Sequence, residues 1–234
     1  MDKTQDRRWT KYIVTRKEHV KTTWMFRISL LACLVLVGSV TRPLWTRAIG
    51  TSLVCDEPID SVRVDAVLID NLDWDYLLFE RAAALLEAGV TSTVIVPVDM
   101  AADGKGTSVA RGFVDVMARV ARLRELKIVP IREAEPISLN AAVQIERFIH
   151  AEKIESVTVI TPAFRSRRSV LVYRSVLGAA GVAVHCVPVF GQRTPDNWIE
   201  TWHGVQDVGL QFLKLQYYRF YVLPFRHPGL AASL

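Results

Sequence analysis

From residue 64 onward, short apolar runs alternate with longer stretches in which apolar positions recur at helical spacing. The short runs contain few charges and are bounded by polar residues, glycine or proline. Runs of this kind are typical of strands that are buried on both faces of a sheet. They predict strands at Val64–Asp70, Thr93–Val98, Lys127–Ile131, Ser156–Thr161 and Ala183–Pro188.

The stretches between these strands repeat their apolar residues every three or four positions, as amphipathic helices do. Asp73 and Gly89 are residue types that suit the beginning and the end of the first of these helices. Asp196 is predicted to cap a long last helix. The predicted helices span Trp74–Ala88, a segment opening at Ser108, Ser138–Glu152, Arg167–Ala180 and about Asn197–Tyr221.

The regular alternation of strands and helices predicts an α/β fold in which a mostly parallel sheet is covered on both faces. This domain is expected over residues 63–222, followed by a carboxyl-terminal tail at 223–234. The last helix is unusually rich in aromatic residues. Core packing is the expected role of these residues, and contact with a membrane interface or a partner is the alternative.

Residues 28–40 form the most apolar run of the chain. Extended to 24–45, the run predicts a transmembrane signal anchor. The preceding segment, 1–23, is basic, and the positive-inside bias therefore places the amino terminus in the cytoplasm and exports the rest, beginning with a linker at 46–62. A cleaved signal peptide, a lipoprotein signal at Cys33 and a buried soluble helix are the alternatives.

The formal net charge is +5 at pH 7, and seven basic minus three acidic residues in the amino-terminal segment account for four of it. Because the remainder is nearly neutral, we do not expect nucleic-acid binding. Cys55 and Cys186 lie outside the predicted anchor and form either a disulfide or two buried thiols, of which the thiols are preferred. The five histidines have no metal-ligand spacing, and no dinucleotide-binding motif follows the first strand, so neither a metal nor a cofactor is expected.

Polar side chains follow several of the predicted strands, and the carboxyl ends of parallel strands meet at the edge where such sheets bind ligands. Asp70 and Asp99 are candidates for a general base, although Asp70 could simply end its strand. Arg165 and Arg168 lie one turn apart near a helix start and predict an anion site, with a solvated basic surface as the alternative. The predicted ligand-binding residues are Asn71, Asn140, Thr161, Arg165 and Arg168.

The chain carries, in order over residues 50–222, the blocks VDAVLIDN, ISLNAAVQIERFI, VTVITPAFRSRRSVLVYR and NWIETWHGVQDVGLQFLKLQYYRF. Their order and spacing resemble the YdcF/SanA/ElyC-like family, a bacterial domain of unknown function. The positions that match the family pattern are Asp65, Arg81, Asn140, Thr161, Arg168, Lys214 and Tyr217. Departures are Asp70-Asn71 in place of glycines, Ile137 and Leu139 in place of threonine and glutamate, Arg165 in place of histidine, and Gln211 in place of glutamate.

The resemblance implies a Rossmann-like, three-layer domain of about five strands, held at the outer face of the inner membrane by a single helix. Members of the family are associated with envelope biogenesis and with cell-wall or envelope-polysaccharide metabolism. We therefore expect an envelope-biogenesis protein that binds an anionic, phosphate-bearing glycan or lipid-linked precursor, and the question of catalysis stays open. The alternatives are a non-catalytic scaffold of a polysaccharide or secretion assembly and, third, a cytosolic nucleotide-binding enzyme. The expected partners are the lipid bilayer, such a precursor and envelope-assembly proteins.

Overall fold

The structure is a computed structural model that describes residues 23–55, 63–70, 75–99, 109–123 and 125–225. The chain divides into an amino-terminal unit that ends at Arg42 and a body that begins at Pro43. The predicted basic segment lies, apart from its last residue, outside the described residues.

The amino-terminal unit contains helix α1, Trp24–Val40, whose large apolar side chains are exposed. The Thr23 side chain begins this helix by accepting a hydrogen bond from the Phe26 N–H. Within the part of the chain that the structure describes, no single helix is both long and apolar enough to cross a bilayer. Helix α1 and the following helix α2, Arg42–Ser52, meet those criteria only when they are counted as one broken segment.

The sequence places residues 46–62 in a linker, but the described part of that range is folded. Thr46 is buried, and its carbonyl oxygen accepts a hydrogen bond of 2.9 Å from Trp198 Nε1. Leu53 and Val54 pack into an apolar cluster with Phe164 and the buried face of the last helix. Residues 46–55 therefore belong to the body, because their apolar side chains find partners that are distant in sequence.

The body is built on a sheet of parallel strands, which are β1, Ala66–Ile69; β2, Val94–Asp99; β3, Lys127–Ile131; β4, Ser156–Pro162; and β5, Ala183–Val189. They lie in the order β3-β2-β1-β4-β5. Each predicted strand is present, and β3 has the predicted bounds. In the centre of the sheet, Leu68 pairs with Ile95 on one side and with Val159 on the other.

Helices cover both faces of this sheet because successive side chains of a strand point to opposite faces. The helices of the body after α2 are α3, Tyr76–Glu87; α4, Val109–Val120; α5, Ile137–Ala151; α6, Ala163–Val176; and α7, Trp202–Tyr217. Ala66 and Leu68 pack in an apolar cluster with α5 and α6, whereas Val67 and Ile69 pack with α3 and α4. The result is the predicted three-layer α/β architecture, consistent with a Rossmann-like fold.

Several helix boundaries differ from those predicted. Helix α3 is capped by Asp75, whose Oδ1 accepts from the Leu77 N–H at 3.0 Å, and the predicted cap Asp73 lies outside the described residues, as does Ser108. Helix α6 begins at Ala163, directly after Pro162, and not at Arg167.

The long helix predicted near the carboxyl terminus is interrupted. A 3₁₀ turn, Trp198–Glu200, is followed by Thr201, whose Oγ1 accepts from the Gly204 N–H at 3.1 Å and caps α7 in place of the predicted Asp196. A π-helical turn, Tyr218–Val222, continues α7. The predicted tail is described only through Phe225.

Cys55 and Cys186 form a disulfide with a Cα–Cα distance of 6.5 Å, so the preference for two buried thiols is wrong. The pairing follows from the course of the chain after α2. The Arg167 N–H donates to the Leu53 carbonyl at 3.0 Å, and the Cys55 N–H donates to Ser166 Oγ at 2.9 Å. These bonds fix the segment along α6, beside strand β5.

Candidate functional site

The candidate site lies at the carboxyl ends of β1 and β4, which are neighbours in the sheet. The chain builds β2 and β3 on one side of β1, and β4 and β5 on the other. The boundary between the two halves is the topological switch point, where open α/β sheets bind ligands. Asp70 follows β1 and Thr161 lies near the end of β4, so both reach this point.

The carboxylate of Asp70 is the centre of a buried hydrogen-bond network. Its Oδ2 accepts from Thr161 Oγ1 at 3.1 Å, from Ser169 Oγ at 2.5 Å and from Arg165 Nε at 3.3 Å. Arg165 Nη2 lies 3.1 Å from Asp70 Oδ1 and donates to the Asp70 backbone oxygen at 3.0 Å. The ion pair is fully enclosed, since Asp70 is 1% and Arg165 is 3% exposed.

Electrostatics keep this carboxyl ionised despite its burial. Burial alone would raise the pKa of Asp70, but the Arg165 charge, the Ser169 hydrogen bond and the nearby Arg168 charge together hold that pKa below its ordinary value. Burial and the Asp70 charge act the other way on Tyr173 and raise the pKa of its phenol well above the ordinary value. Asp70 therefore acts as a fixed negative charge that positions Arg165.

Arg168 joins three helices at the side of the same site. Its Nη1 donates to Ser138 Oγ on α5 at 2.8 Å, and its Nη2 donates to Gln211 Oε1 on α7 at 3.3 Å. The guanidinium carbon lies 5.5 Å from the ring centre of Tyr218, within cation–π range. The Tyr218 hydroxyl in turn accepts from the Ser138 N–H at 3.2 Å. The position of Arg168 is therefore set by α5, α7 and the turn after α7.

Asn140 was predicted to bind the ligand, but it is not among the residues that line the two clefts described below. Its contacts instead hold a neighbouring segment in place. The residue is buried, and its Nδ2 donates to the Ala134 carbonyl at 2.8 Å. One turn later, Gln144 bonds both the N–H and the carbonyl of Arg132, at 2.8 and 2.9 Å. The two amides thus fix the segment between β3 and α5.

A cleft of about 520 Å³ opens over this arrangement, and we call it the first cleft. Its cationic side is formed by Arg165 and Arg168 from α6 and by Lys214 from α7. Its acidic lining residues come from the end of β2 and from the segment after β3. Aromatic and apolar residues complete it. The acidic lining residues are Asp99, Glu133 and Glu135, and the aromatic ones are Tyr217 and Tyr218.

A second cleft of about 550 Å³ shares Arg165 and Lys214 with the first. It is lined in addition by the amides of Gln192 and Gln211 and by Leu210. The two clefts therefore lie beside each other along α7, with Lys214 common to both.

The structure brings together Asp70, Thr161, Arg165 and Arg168 from the predicted set. Asp99 lines the first cleft with the two arginines, whereas the lining residues of both clefts do not include Asp70. Asn71 lies outside the described residues. Asp70 is therefore placed in an ion pair, away from any ligand in these clefts, and not as an accessible base.

Sequence reasoning left several site residues unassigned. Ser169 follows Arg165 by four positions, so helical spacing alone could have placed both on one face of α6. Lys214 and Tyr217 are among the positions on which the predicted family resemblance rests, but their convergence on the arginines depends on how α7 packs. The others are Ser138, Gln211 and Tyr218, for which we find no sequence signal.

Within the described ranges, no cluster of histidine, cysteine and carboxylate side chains is arranged to hold a metal ion. The chemistry that the described side chains of the first cleft provide is charge recognition, hydrogen bonding and aromatic contact.

No protein-family description, no curated protein and no solved structure matches the chain.

Proposed function

We propose that this chain is a membrane-anchored envelope-biogenesis protein, a diverged relative of the YdcF/SanA/ElyC-like family, which binds an anionic precursor in the first cleft. The observation that carries the proposal is the convergence of Arg168 and Lys214, beside the ion-paired Arg165, on one cleft at the switch point. Guanidinium and ammonium groups are the side chains that best bind phosphate and carboxylate.

The acidic residues of the first cleft restrict where a bound ligand can carry negative charge. A molecule with negative charge along its whole length would be repelled by Asp99, Glu133 and Glu135. A molecule with one anionic end and many hydroxyls satisfies both sets of residues, because carboxylates accept hydrogen bonds from hydroxyls. The ring of Tyr217 offers an apolar surface for the C–H face of a sugar. A sugar phosphate, free or lipid-linked, fits this description.

The same geometry favours binding over turnover. Asp70, one of the two carboxylates predicted as a general base, is committed to Arg165, Ser169 and Thr161. Arg165 occupies the position at which the family pattern has a histidine. An accessory protein that presents or holds a precursor within a polysaccharide or secretion assembly is therefore the second candidate function, and it uses the same cleft.

Two features support export of the body. Disulfides persist in oxidising compartments, and Cys55–Cys186 joins the segment after α2 to the sheet. The basic residues that precede the apolar segment support a cytoplasmic amino terminus. Both are consistent with a single-pass protein of the inner membrane whose body is extracytoplasmic.

A crystal structure of the full chain soaked with a hexose phosphate tests the ligand assignment. We expect the phosphate within hydrogen-bond reach of Arg168 and Lys214, and the sugar between Tyr217 and the acidic residues. A phosphate bound elsewhere, or an empty first cleft at saturating hexose phosphate, would refute the assignment.

A further inference from the structure

Helix α7 is apolar on two opposite faces. Its buried face packs on the body through Gly204, Val208 and Leu215. The opposite face, which we call the outward face, carries large apolar and aromatic side chains that extend into the π-helical turn. It consists of Trp202, Leu210, Leu213, Tyr217, Phe220 and Tyr221, with Leu213 and Phe220 each 66% exposed.

Core packing, the expected role of the aromatic residues of the predicted last helix, is confirmed for Trp198 and Tyr218, which are buried, but not for the residues of the outward face. An exposed apolar stripe of this length on one helix marks an interaction surface.

The outward face meets both clefts at their rims. Leu210 lines the second cleft, Tyr217 lines the first, and Lys214 lines both. A surface that covered the outward face would therefore lie directly beside the openings of the clefts.

We propose that the outward face of α7 lies in the interfacial region of a lipid bilayer, with the clefts opening at the level of the headgroups. This inference rests on the proposed function, since it assumes a membrane-anchored body and extends the ligand class to the headgroup of a lipid-linked sugar phosphate. Such a ligand keeps its lipid in the bilayer while its phosphate reaches Lys214 and Arg168.

The composition of the face favours lipid as the occupant. Tyr and Trp are the side chains enriched at membrane–water interfaces, because their rings are apolar and their tips are polar. Two exposed cations adjoin the face, namely Lys214 and Arg219, whose guanidinium carbon lies 5.6 Å from the ring centre of Phe220. Cations beside an apolar face add attraction to anionic lipids.

The short sequence separation between helix α1 and the body also favours lipid as the occupant. The apolar helix α1 ends at Val40, and the body begins at Pro43. Only two residues separate Val40 from Pro43, and an extended chain spans roughly 3.5 Å per residue. A membrane-inserted anchor would therefore keep Pro43, the first residue of the body, close to the bilayer surface.

Site-specific quenching of the full chain in nanodiscs that contain anionic lipid tests this inference. In a Cys33→Ser background, which removes the free thiol, a nitrobenzoxadiazole probe is attached to Leu213→Cys. The matched control is Gly178→Cys, an exposed position whose added side chain meets no atom within 4 Å.

Because interfacial helices sit about 5–10 Å into the bilayer, the Leu213 probe should be quenched about threefold more strongly by a shallow acyl-chain quencher than the Gly178 probe. Aqueous iodide should quench the two probes in the reverse order. A Leu213 probe that is as accessible to iodide as the control overturns the inference. Protection from both quenchers, with a doubled particle mass, overturns it in favour of self-association.

A binding measurement without a bilayer separates loss of membrane docking from loss of ligand binding. Binding of a soluble hexose phosphate is measured in detergent, without a bilayer, for the wild type and for the variant Leu213→Ser with Phe220→Ser. We expect equal affinities, because neither side chain lines a cleft. A chain that binds the sugar phosphate but leaves the Leu213 probe in water refutes only the membrane docking.

Discussion

Asp70 and Arg165 form a buried ion pair, with Nη2 3.1 Å from Oδ1, although 95 positions separate them in the chain. The pair joins the end of β1 to the first turn of α6 and so bridges the switch point of the sheet. A carboxylate enclosed in this way neutralises the arginine beside it and leaves Arg168 and Lys214 as the cations that we expect to contact a ligand.

Asp70→Asn should destabilise the body strongly. Removing one partner of a buried pair leaves an uncompensated charge and costs about 3–5 kcal/mol. The free energy of unfolding in denaturant measures the effect, with Asp99→Asn as a control that changes an exposed carboxylate. Equal stability of the two variants would show that the pair contributes little.

The low pKa of Asp70 predicts a loss of stability in acid. A carboxyl whose pKa is lower in the folded than in the unfolded state stabilises the fold at pH above the unfolded value of about 4. This contribution is lost as the pH falls through the lower, folded pKa. The melting temperature is measured from pH 7 to pH 2, roughly the span in which carboxyls protonate. It should fall more steeply with decreasing pH for the wild type than for Asp70→Asn.

Parallel profiles for the two proteins would assign the acid sensitivity to other groups. Asp65 is the first to examine, because hydrogen bonds from the N–H groups of Glu155 and Ser156 and from the Ser156 hydroxyl hold its pKa below the ordinary value.

Loss of the disulfide should also destabilise the body. Cys55 and Cys186 are 131 positions apart, and closing a loop of that length restricts the unfolded chain. The cost of replacing both by serine is about 2–5 kcal/mol. Unfolding curves of the double variant, and of the wild type with and without reductant, measure it. A wild type that is insensitive to reductant under unfolding conditions would contradict the pairing.

Gly204 is required where α7 leaves the 3₁₀ turn. A Cβ at this position would lie 2.0 Å from the Trp198 carbonyl oxygen, whereas a Cβ at Gly209 would meet no atom within 4 Å. Gly204→Ala should therefore cost about 1–3 kcal/mol or more through forced displacement of the backbone. Gly209→Ala should be neutral or should stabilise the helix by up to about 1 kcal/mol. Equal stability of the two variants would contradict this packing.

The strands β1, β2 and β4 were predictable because they are apolar runs buried on both faces. Lys127–Ile131 has the predicted bounds although it is an edge strand in which Lys127 and Pro130 are exposed. The break at Thr201 was missed because apolar spacing continues through it, whereas in the structure Thr201 caps α7 and Gly204 packs against Trp198.

The site was only partly predictable for a related reason. The residue types after each strand identified Asp70, Thr161 and the two arginines. Whether Asp70 faces a ligand or Arg165 depends on a contact between distant segments, which local spacing does not encode. The same limit applies to the Cys55–Cys186 pair and to α7, whose two apolar faces cannot be told apart by periodicity.

The most direct test of the central claim is the dissociation constant of a hexose phosphate, measured by calorimetry for three proteins. The control Lys127→Ala removes an ammonium that pairs with Glu152 at the amino end of β3, whereas the cleft lies at the carboxyl ends of the strands. We expect wild type and Lys127→Ala to bind equally, and Lys214→Ala to bind about tenfold more weakly, the loss of one charge-assisted contact of about 1.4 kcal/mol. Equal affinity of all three proteins, or no binding by the wild type, would contradict the account.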